Sequence, residues 1–353
     1  MNLFDVLVVG ASVSGCRTAE LLAEKGYKVA IVEEHKKVGL PLKCTGLVSW
    51  RLKELLPNLP KEIVVNTIRE AKFFSPSGNS FTLHSKRPVY VIDRKGLDEH
   101  LFSCALSTGS KPMLGIKFLS FDTKTGTANT SAGNLKTLLL VGADGGNSYV
   151  ARSVGLEQTR TKLIGVQATV KGEFENFAEL WFGNSVAPNF FAWVVPLNES
   201  IVRIGLATNT QPLYYFRKFL RKRAKTFVKP DTAGLIRIGL MKKTVADRTL
   251  LVGDAACMIK PFSGGGIVYS LIGSRICAEA CIKALEERDF SCRFLKKAYE
   301  KEWKKILSKP IKRGMLYRRI LNNLSDFQLN IFFSFVKKFG LTMLENFDMD
   351  FLD

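Results

Sequence analysis

Apolar runs and alternations divide the chain into an ordered series of buried strands and helices. Residues 4–9 form a short continuous apolar run and residues 10–15 a glycine-bounded turn. Residues 16–25 then place Ala19, Leu22 and Ala23 on one side of a helix. Gly26 stops that helix, and residues 29–32 read as a second buried strand, completing a βαβ unit. Between residues 73 and 92 the period becomes that of strands. Ser75-Pro76-Ser77-Gly78-Asn79-Ser80 lies between two apolar stretches as the turn of an antiparallel hairpin.

Residues 93–106 return to helical periodicity, two hairpin-like strands follow, and the apolar run 135–141 ends in Gly142-Ala143-Asp144-Gly145-Gly146. Residues 163–207 are strand-rich, with 201–206 alternating as a half-buried strand does. A basic helix at 214–228 interrupts them. Leu250-Leu251-Val252 is a last buried strand, followed by Gly253-Asp254 and a long helix from 266 to 286. The remainder is helical, basic at first and rich in Phe at its end. The pattern predicts an α/β chain (α+β overall), with a Rossmann-like nucleotide-binding domain made of residues 1–68, 93–157 and 233–290. An inserted antiparallel β-sheet domain takes 69–92 and 158–232, and a helical C-terminal region takes 291–353.

Composition narrows the chemistry. With 46% hydrophobic and 24% charged residues among 353, the chain is globular, which excludes wholesale disorder, collagen and coiled coil. Its net charge of +20 favours an anionic partner: nucleic acid, an anionic membrane surface or a phosphorylated substrate. Cys16, Cys44, Cys104, Cys257, Cys277, Cys281 and Cys292 are an odd set without a CxxC pair. His35, His84 and His100 are too scattered to give zinc spacing. Reduced thiols in a cytoplasmic protein are the expectation. The first residues lack the pattern of a signal peptide, and no apolar run reaches the roughly 18–20 residues that span a bilayer, so any membrane association is expected to be peripheral.

Three motifs carry candidate chemistry. Gly10-Ala11-Ser12-Val13-Ser14-Gly15 joins a strand to a helix: Gly10 permits the tight turn, Gly15 close helix packing, and the helix-start N–H groups, with Ser12 and Ser14 beside them, can hold a pyrophosphate. Ser12 stands where the dinucleotide pattern has its second glycine. Glu33, at the end of the next strand, is positioned to bind a ribose; Glu34 is its neighbour, expected on the other face. Asp144 and Gly145 end a second strand and Asp254 a third, each a site for cofactor hydroxyls. Gly264-Gly265-Gly266 then opens a helix at Ile267, whose dipole favours the negative edge of a reduced flavin. Three separated sites fit one long cofactor, FAD rather than NAD; three unrelated glycine turns are the alternative.

In order and spacing these motifs resemble those of para-hydroxybenzoate hydroxylase-type FAD oxidoreductases. Among these the chain resembles the geranylgeranyl reductase family, chiefly archaeal digeranylgeranylglycerophospholipid reductases. That family carries Pro-x-x-Cys-x-Gly, here Pro41-Leu42-Lys43-Cys44-Thr45-Gly46. Its hallmark Tyr-x-Trp-x-Phe-Pro with a later Gly-x-Gly reads here as Phe191-Ala192-Trp193-Val194-Val195-Pro196, then Gly205-Leu206-Ala207. Phe191, Val195 and Ala207 depart conservatively. The likeness runs from about residue 5 to about residue 305.

The resemblance implies FAD bound with the help of Gly46 and Arg94, and Cys44 at the flavin face, where it donates a proton or shapes the cavity. Lys43 beside it would lower the thiol pKa if close in space. Phe191, Trp193 and Val195 share one strand face, and with Pro196 and Gly205 form the expected substrate wall. A polyprenyl tail buries there at about 25 cal/mol per Å²; ordinary sheet core is the alternative.

The implied reaction saturates C=C bonds of geranylgeranyl chains on a glycerophospholipid precursor, by hydride from flavin N5 plus a proton. An external electron donor (ferredoxin, deazaflavin or nicotinamide) is implied with it. A monooxygenase or halogenase of the same fold, a quinone-linked electron-transfer flavoprotein or a non-catalytic isoprenoid-lipid binder are the rivals.

The basic residues Arg217, Lys218, Arg221, Lys222, Arg223, Lys225 and Lys229, and the bias of 293–319, are either a solvated face or a contact for an anionic membrane. No nucleic-acid recognition motif accompanies them. Phe327, Phe332, Phe333, Phe335 and Phe339 are either an interfacial helix or docked core.

Overall fold

The structure is a computed structural model that describes residues 3–42, 44–339, 348, 350 and 351. The chain divides into two compact units. The first is Met1–Leu40, Lys95–Thr161 and Arg237–Lys312; the second is Pro41–Arg94, Lys162–Ile236 and Arg313–Asp353.

The first unit holds an eight-stranded mixed sheet with a parallel core. Its central strand Leu3–Val9 is flanked by Val29–Glu33 and Gly133–Gly142, with Lys111–Leu114 and Thr249–Leu251 continuing outward on either side. Val6, Leu7 and Val8 are wholly buried, as strands covered on both faces must be. The helix Val13–Ala23 returns the chain from the first strand to the second and packs on the long helix Ile267–Glu287. Ser274 Oγ of the long helix donates to the Ser14 carbonyl at 3.0 Å.

The start of the C-terminal region docks on this unit rather than forming a body of its own. Tyr299, Trp303, Leu307 and Ile311 are fully buried. Trp303 Nε1 donates to Thr244 Oγ1 at 3.0 Å, and Glu300 accepts from the Thr244 N–H. The division falls after Lys312, not at residue 291.

The second unit is an eight-stranded sheet ordered Thr232–Arg237, Lys162–Lys171, Ile201–Thr208, Phe191–Asn198, Ala178–Phe182, Val64–Phe74, Ser80–Ile92, Leu47–Ser49. Neighbours pair antiparallel from Lys162–Lys171 to Ala178–Phe182. The next pair, to Val64–Phe74, is parallel, and the last two are antiparallel again. Residues 41–68 therefore differ from the expectation: Leu47–Ser49 and Val64–Phe74 each pair with Ser80–Ile92, which draws them into this sheet.

The amphipathic helix Pro212–Ala224 buries Phe216, Phe219 and Leu220 against Val166, Ala168, Ala192, Val194, Val202, Ile204 and Leu206. Strand alternation then sends Gln167, Phe191, Trp193, Val195, Arg203 and Gly205 to the opposite face. That face is where the candidate substrate wall lies.

Candidate functional site

Each unit holds its own cluster of expected site residues. In the first, the 10–15 turn closes on itself. Gly10 has φ +106°, and a Cβ there would strike the Ala143 carbonyl; a Cβ on Gly15 would strike the carbonyl of Gly10. Both positions therefore demand glycine, which lets strand, turn and helix close tightly on one another. Ser12 stands at the N-cap of Val13–Ala23 but makes no side-chain cap: its Oγ donates to Asp98 Oδ1 at 3.1 Å. No side chain of the turn thus covers the leading N–H groups of that helix. Ser14 is buried, with its backbone carbonyl held by Ser274.

Glu33 stands at the strand end, where its Oε2 accepts from the Ala11 N–H at 2.9 Å and its Oε1 from the His35 N–H at 2.9 Å. The carboxylate thus faces the glycine turn. Glu34 is exposed and follows the strand's last residue.

Asp144 serves the chain itself. Its carboxylate accepts from Ser148 Oγ at 2.6 Å and from the N–H groups of Tyr149 and Val150 at 2.6 and 3.0 Å. Burial pushes its carboxyl upward in pKa, while those bonds pull it back. Gly145, at φ +81°, has open space where a side chain would be.

Asp254 lies in the tight turn Gly253–Ala256, and its Oδ1 stands 2.9 Å from where a Cβ of Gly266 would be. Gly266 thus lets the carboxylate approach the start of Ile267–Glu287, a helix whose N-cap carries no side-chain bond. Gly264 N–H donates to the Lys260 carbonyl at 2.8 Å and Lys260 N–H to the Gly265 carbonyl at 3.0 Å, fixing the triglycine loop before that helix start.

The second unit gathers Cys44, Thr45 and Gly46 against the sheet. Cys44 is half-buried, and its Sγ accepts from the Gly46 N–H at 3.3 Å. Gly46 has φ +77°, and a Cβ there would come within 2.7 Å of Arg203 Nη1 and 2.5 Å of the Ile92 carbonyl. Lys43 lies outside the described residues. Arg94 belongs to this unit and opens the helix Arg94–Ser107.

Phe191, Trp193 and Val195 share one face of the strand Phe191–Asn198. Phe191 meets Trp193 edge-on at 6.1 Å, and Val195 and Pro196 are buried beside them. Trp193 pairs across the strands with Gly205, and Gly205 with Gln167.

Sequence reasoning missed two members of this cluster. Gln167 Oε1 accepts from Trp193 Nε1 at 3.1 Å and from Thr45 Oγ1 at 2.7 Å, so one amide ties the wall to the cysteine segment. Arg203 donates Nη1 to the carbonyls of Thr45 and Ile92. Burial lowers its pKa, against the pull of Cys44, Asp93 and Asp231. The signal was present: 201–206 alternates, and Arg203 occupies the phase of Gly205.

Residues 8–45 match the family of NAD(P)-binding Rossmann-like domains. An uncharacterized protein, MJ1520 of Methanocaldococcus jannaschii, is 30% identical over 92% of this chain and 86% of its own. A digeranylgeranylglycerophospholipid reductase of Methanothrix thermoacetophila is 28% identical over 92% of this chain and 89% of its own. Among solved structures, a geranylgeranyl bacteriochlorophyll reductase-like protein of Thermoplasma acidophilum superposes with a TM-score of 0.90. It covers 98% of this chain and 94% of its own at 22% identity.

Proposed function

We propose that the chain is a flavin-dependent oxidoreductase of the geranylgeranyl reductase family, which binds FAD and saturates C=C bonds of geranylgeranyl chains on membrane-lipid precursors. The observation that carries this reading is the Phe191–Trp193–Val195 face, apolar and flattened by Gly205, with Cys44 tied to it through Gln167 and Thr45. A chain offering only methyl and methylene surface is bound by such a face and by little else.

The Gly10–Gly15 turn suits the pyrophosphate of FAD: its two glycines admit no side chain, and the helix it opens carries no side-chain cap. In this reading the N–H groups at the start of Val13–Ala23 hold the phosphates and Glu33 the adenosine ribose. Asp254 takes ribityl hydroxyls, and the start of Ile267–Glu287 holds negative charge. Once reduced, bound FAD supplies the hydride. An isolated trisubstituted alkene is a poor hydride acceptor, so a proton must lead or accompany transfer. Cys44 is the residue we assign to deliver it, to the alkene carbon next to the reduced one. Phe191 and Trp193 exclude water around the chain as cationic character develops.

Peripheral contact with an anionic membrane belongs to the same proposal. No described helix is long and apolar enough to cross a membrane. Phe327, Ile331 and Phe335, spaced along one face of Asp326–Phe339, are 72%, 55% and 61% exposed, whereas Phe333 and Val336 are docked. The side chain of Phe339 lies outside the described residues. Arg217, Lys218, Arg221, Lys222, Lys225 and Lys229 are exposed, while Arg223 is taken by Glu179 at 2.5–3.0 Å.

Anaerobic photoreduction followed by a geranylgeranyl lipid tests the reading. The flavin absorbance should return as the alkene is consumed. Reduced flavin that persists with lipid yet is oxidised rapidly by oxygen would defeat it.

A further inference from the structure

Among the described residues, Arg318 has no counter-ion. It sits in the helix Lys301–Asn322, is 7% exposed, and its Nη1 is buried without a hydrogen-bond partner. Burial draws its pKa down to about 10, so it stays protonated at neutral pH. Other arginines of the same unit are matched: Arg223 meets Glu179, and Arg51 meets Asp348 and Asp350. An uncompensated buried charge is costly, and its retention points to a partner that arrives with the ligand.

The surroundings say what that ligand looks like. The guanidinium lies over the ring of Phe190, 5.0 Å from its centroid, which offsets only part of the desolvation. Phe190 stacks on Phe191 at 4.2 Å and 18°, and Phe191 in turn meets Trp193. A continuous aromatic row thus runs from a lone cation to the indole of the substrate wall. Phe190 also lines a small open cleft together with Phe182, Leu321 and Asn322. Asp326, near the cleft, is already engaged: its carboxylate accepts from the N–H groups of Asn184 and Ser185 at 2.6 and 3.1 Å.

We propose that Arg318 anchors the anionic end of the lipid, taking a phosphate-ester oxygen of the headgroup while the prenyl chain lies along Phe190, Phe191 and Trp193. A planar guanidinium with free N–H groups suits phosphate oxygens, and a buried one selects against lipids that bring no charge. The inference rests on the reductase reading for its substrate but not for its test.

The test uses the full-length oxidised protein and three probes: a digeranylgeranylglyceryl phosphate, the corresponding digeranylgeranylglycerol, and inorganic phosphate. Lipid binding is read by quenching of tryptophan fluorescence in matched micelles. The wild type should bind the phosphate lipid at least tenfold more tightly than the alcohol. Arg318→Met should lose about 10- to 100-fold for the phosphate lipid and nothing for the alcohol, with Arg318→Lys between. Because Arg318→Met removes an unpaired buried charge, its melting temperature without lipid should hold or rise.

An equal loss for both lipids, a wild type without preference, or a marked fall in melting temperature overturns the assignment. Inorganic phosphate should compete only at far higher concentration than the lipid; competition at equal concentration would make this a free-phosphate site and overturn the headgroup. Discrimination through Arg318 without flavin reoxidation would leave the anchor standing and remove the reductase reading. Reoxidation by both lipids without discrimination would do the reverse.

Discussion

The indole of Trp193 reaches Gln167 only because Gly205, between them on the sheet, has no side chain. The indole N–H donates to Gln167 Oε1 at 3.1 Å, and a Cβ on Gly205 would come within 2.7 Å of indole Cε2 and Cζ2. Gly205→Ala is expected to lift the indole, break that bond and cost about 1–3 kcal/mol by overpacking. Lipid binding should weaken while FAD content stays normal. Thermal melts and flavin-to-protein ratios check both halves.

Cys44→Ala and Trp193→Ala should separate kinetically. Loss of a proton donor is expected to slow single-turnover flavin reoxidation by about 10²–10⁴-fold with lipid affinity intact. Loss of the indole should mainly weaken lipid binding, by about 1–3 kcal/mol. An unchanged chemical step in Cys44→Ala would reduce that thiol to a shaper of the cavity.

Glu33 and Glu34 make an internal control for the adenosine end. Glu33→Ala removes the acceptor of the Ala11 and His35 N–H groups and should weaken FAD uptake by apoprotein about tenfold or more. Exposed Glu34→Ala should leave uptake unchanged. Titration of apoprotein with FAD reads both.

Asp144→Ala should destabilise the fold by about 1–2 kcal/mol through the lost bonds to Tyr149 and Val150, as deletion of a helix cap does. Asp144→Asn, which keeps an acceptor, should cost less. Denaturant unfolding of the first unit's signal would show whether the order is otherwise.

Vesicle binding should be strong on anionic and weak on neutral bilayers. It should fall with salt, since attraction between exposed charges is screened beyond about 8 Å at physiological ionic strength. Phe327→Ser with Phe335→Ser should lower the residual, salt-resistant binding. Sedimentation with vesicles across a salt series measures each part.

Motifs local in sequence were legible, and pairings between distant segments were not. The strand–turn–helix of residues 3–23 was readable because its steric demands, at Gly10 and Gly15, fall within six positions. The shared strand face of Phe191, Trp193 and Val195 was readable because they keep a period of two. The membership of residues 41–68 was not, since it depends on pairing with Ser80–Ile92, and Val64–Phe74 carries Arg69, Glu70 and Lys72 among its apolar positions. Asp144 resembled a ligand residue although the Ser148 four places on marks a local cap. Arg318 sits in a run of basic residues, and only its helical phase, seven places after buried Ile311, separates it from those facing water.

The parallel pairing of Ala178–Phe182 with Val64–Phe74 imposes a timetable on synthesis. Val64–Phe74 and Ser80–Ile92 can zip together as a hairpin soon after both leave the ribosome. Ala71, however, waits for Ala178, about a hundred residues of loop closure away. At about 5–20 residues per second, that strand edge stands open for roughly 5–20 s, with Phe73 and Phe74 upon it. An open apolar edge invites neighbouring nascent chains to add a strand. Charges inside the strand resist such pairing, so Arg69, Glu70 and Lys72 protect the growing polypeptide from aggregation during the interval before its proper neighbour exists.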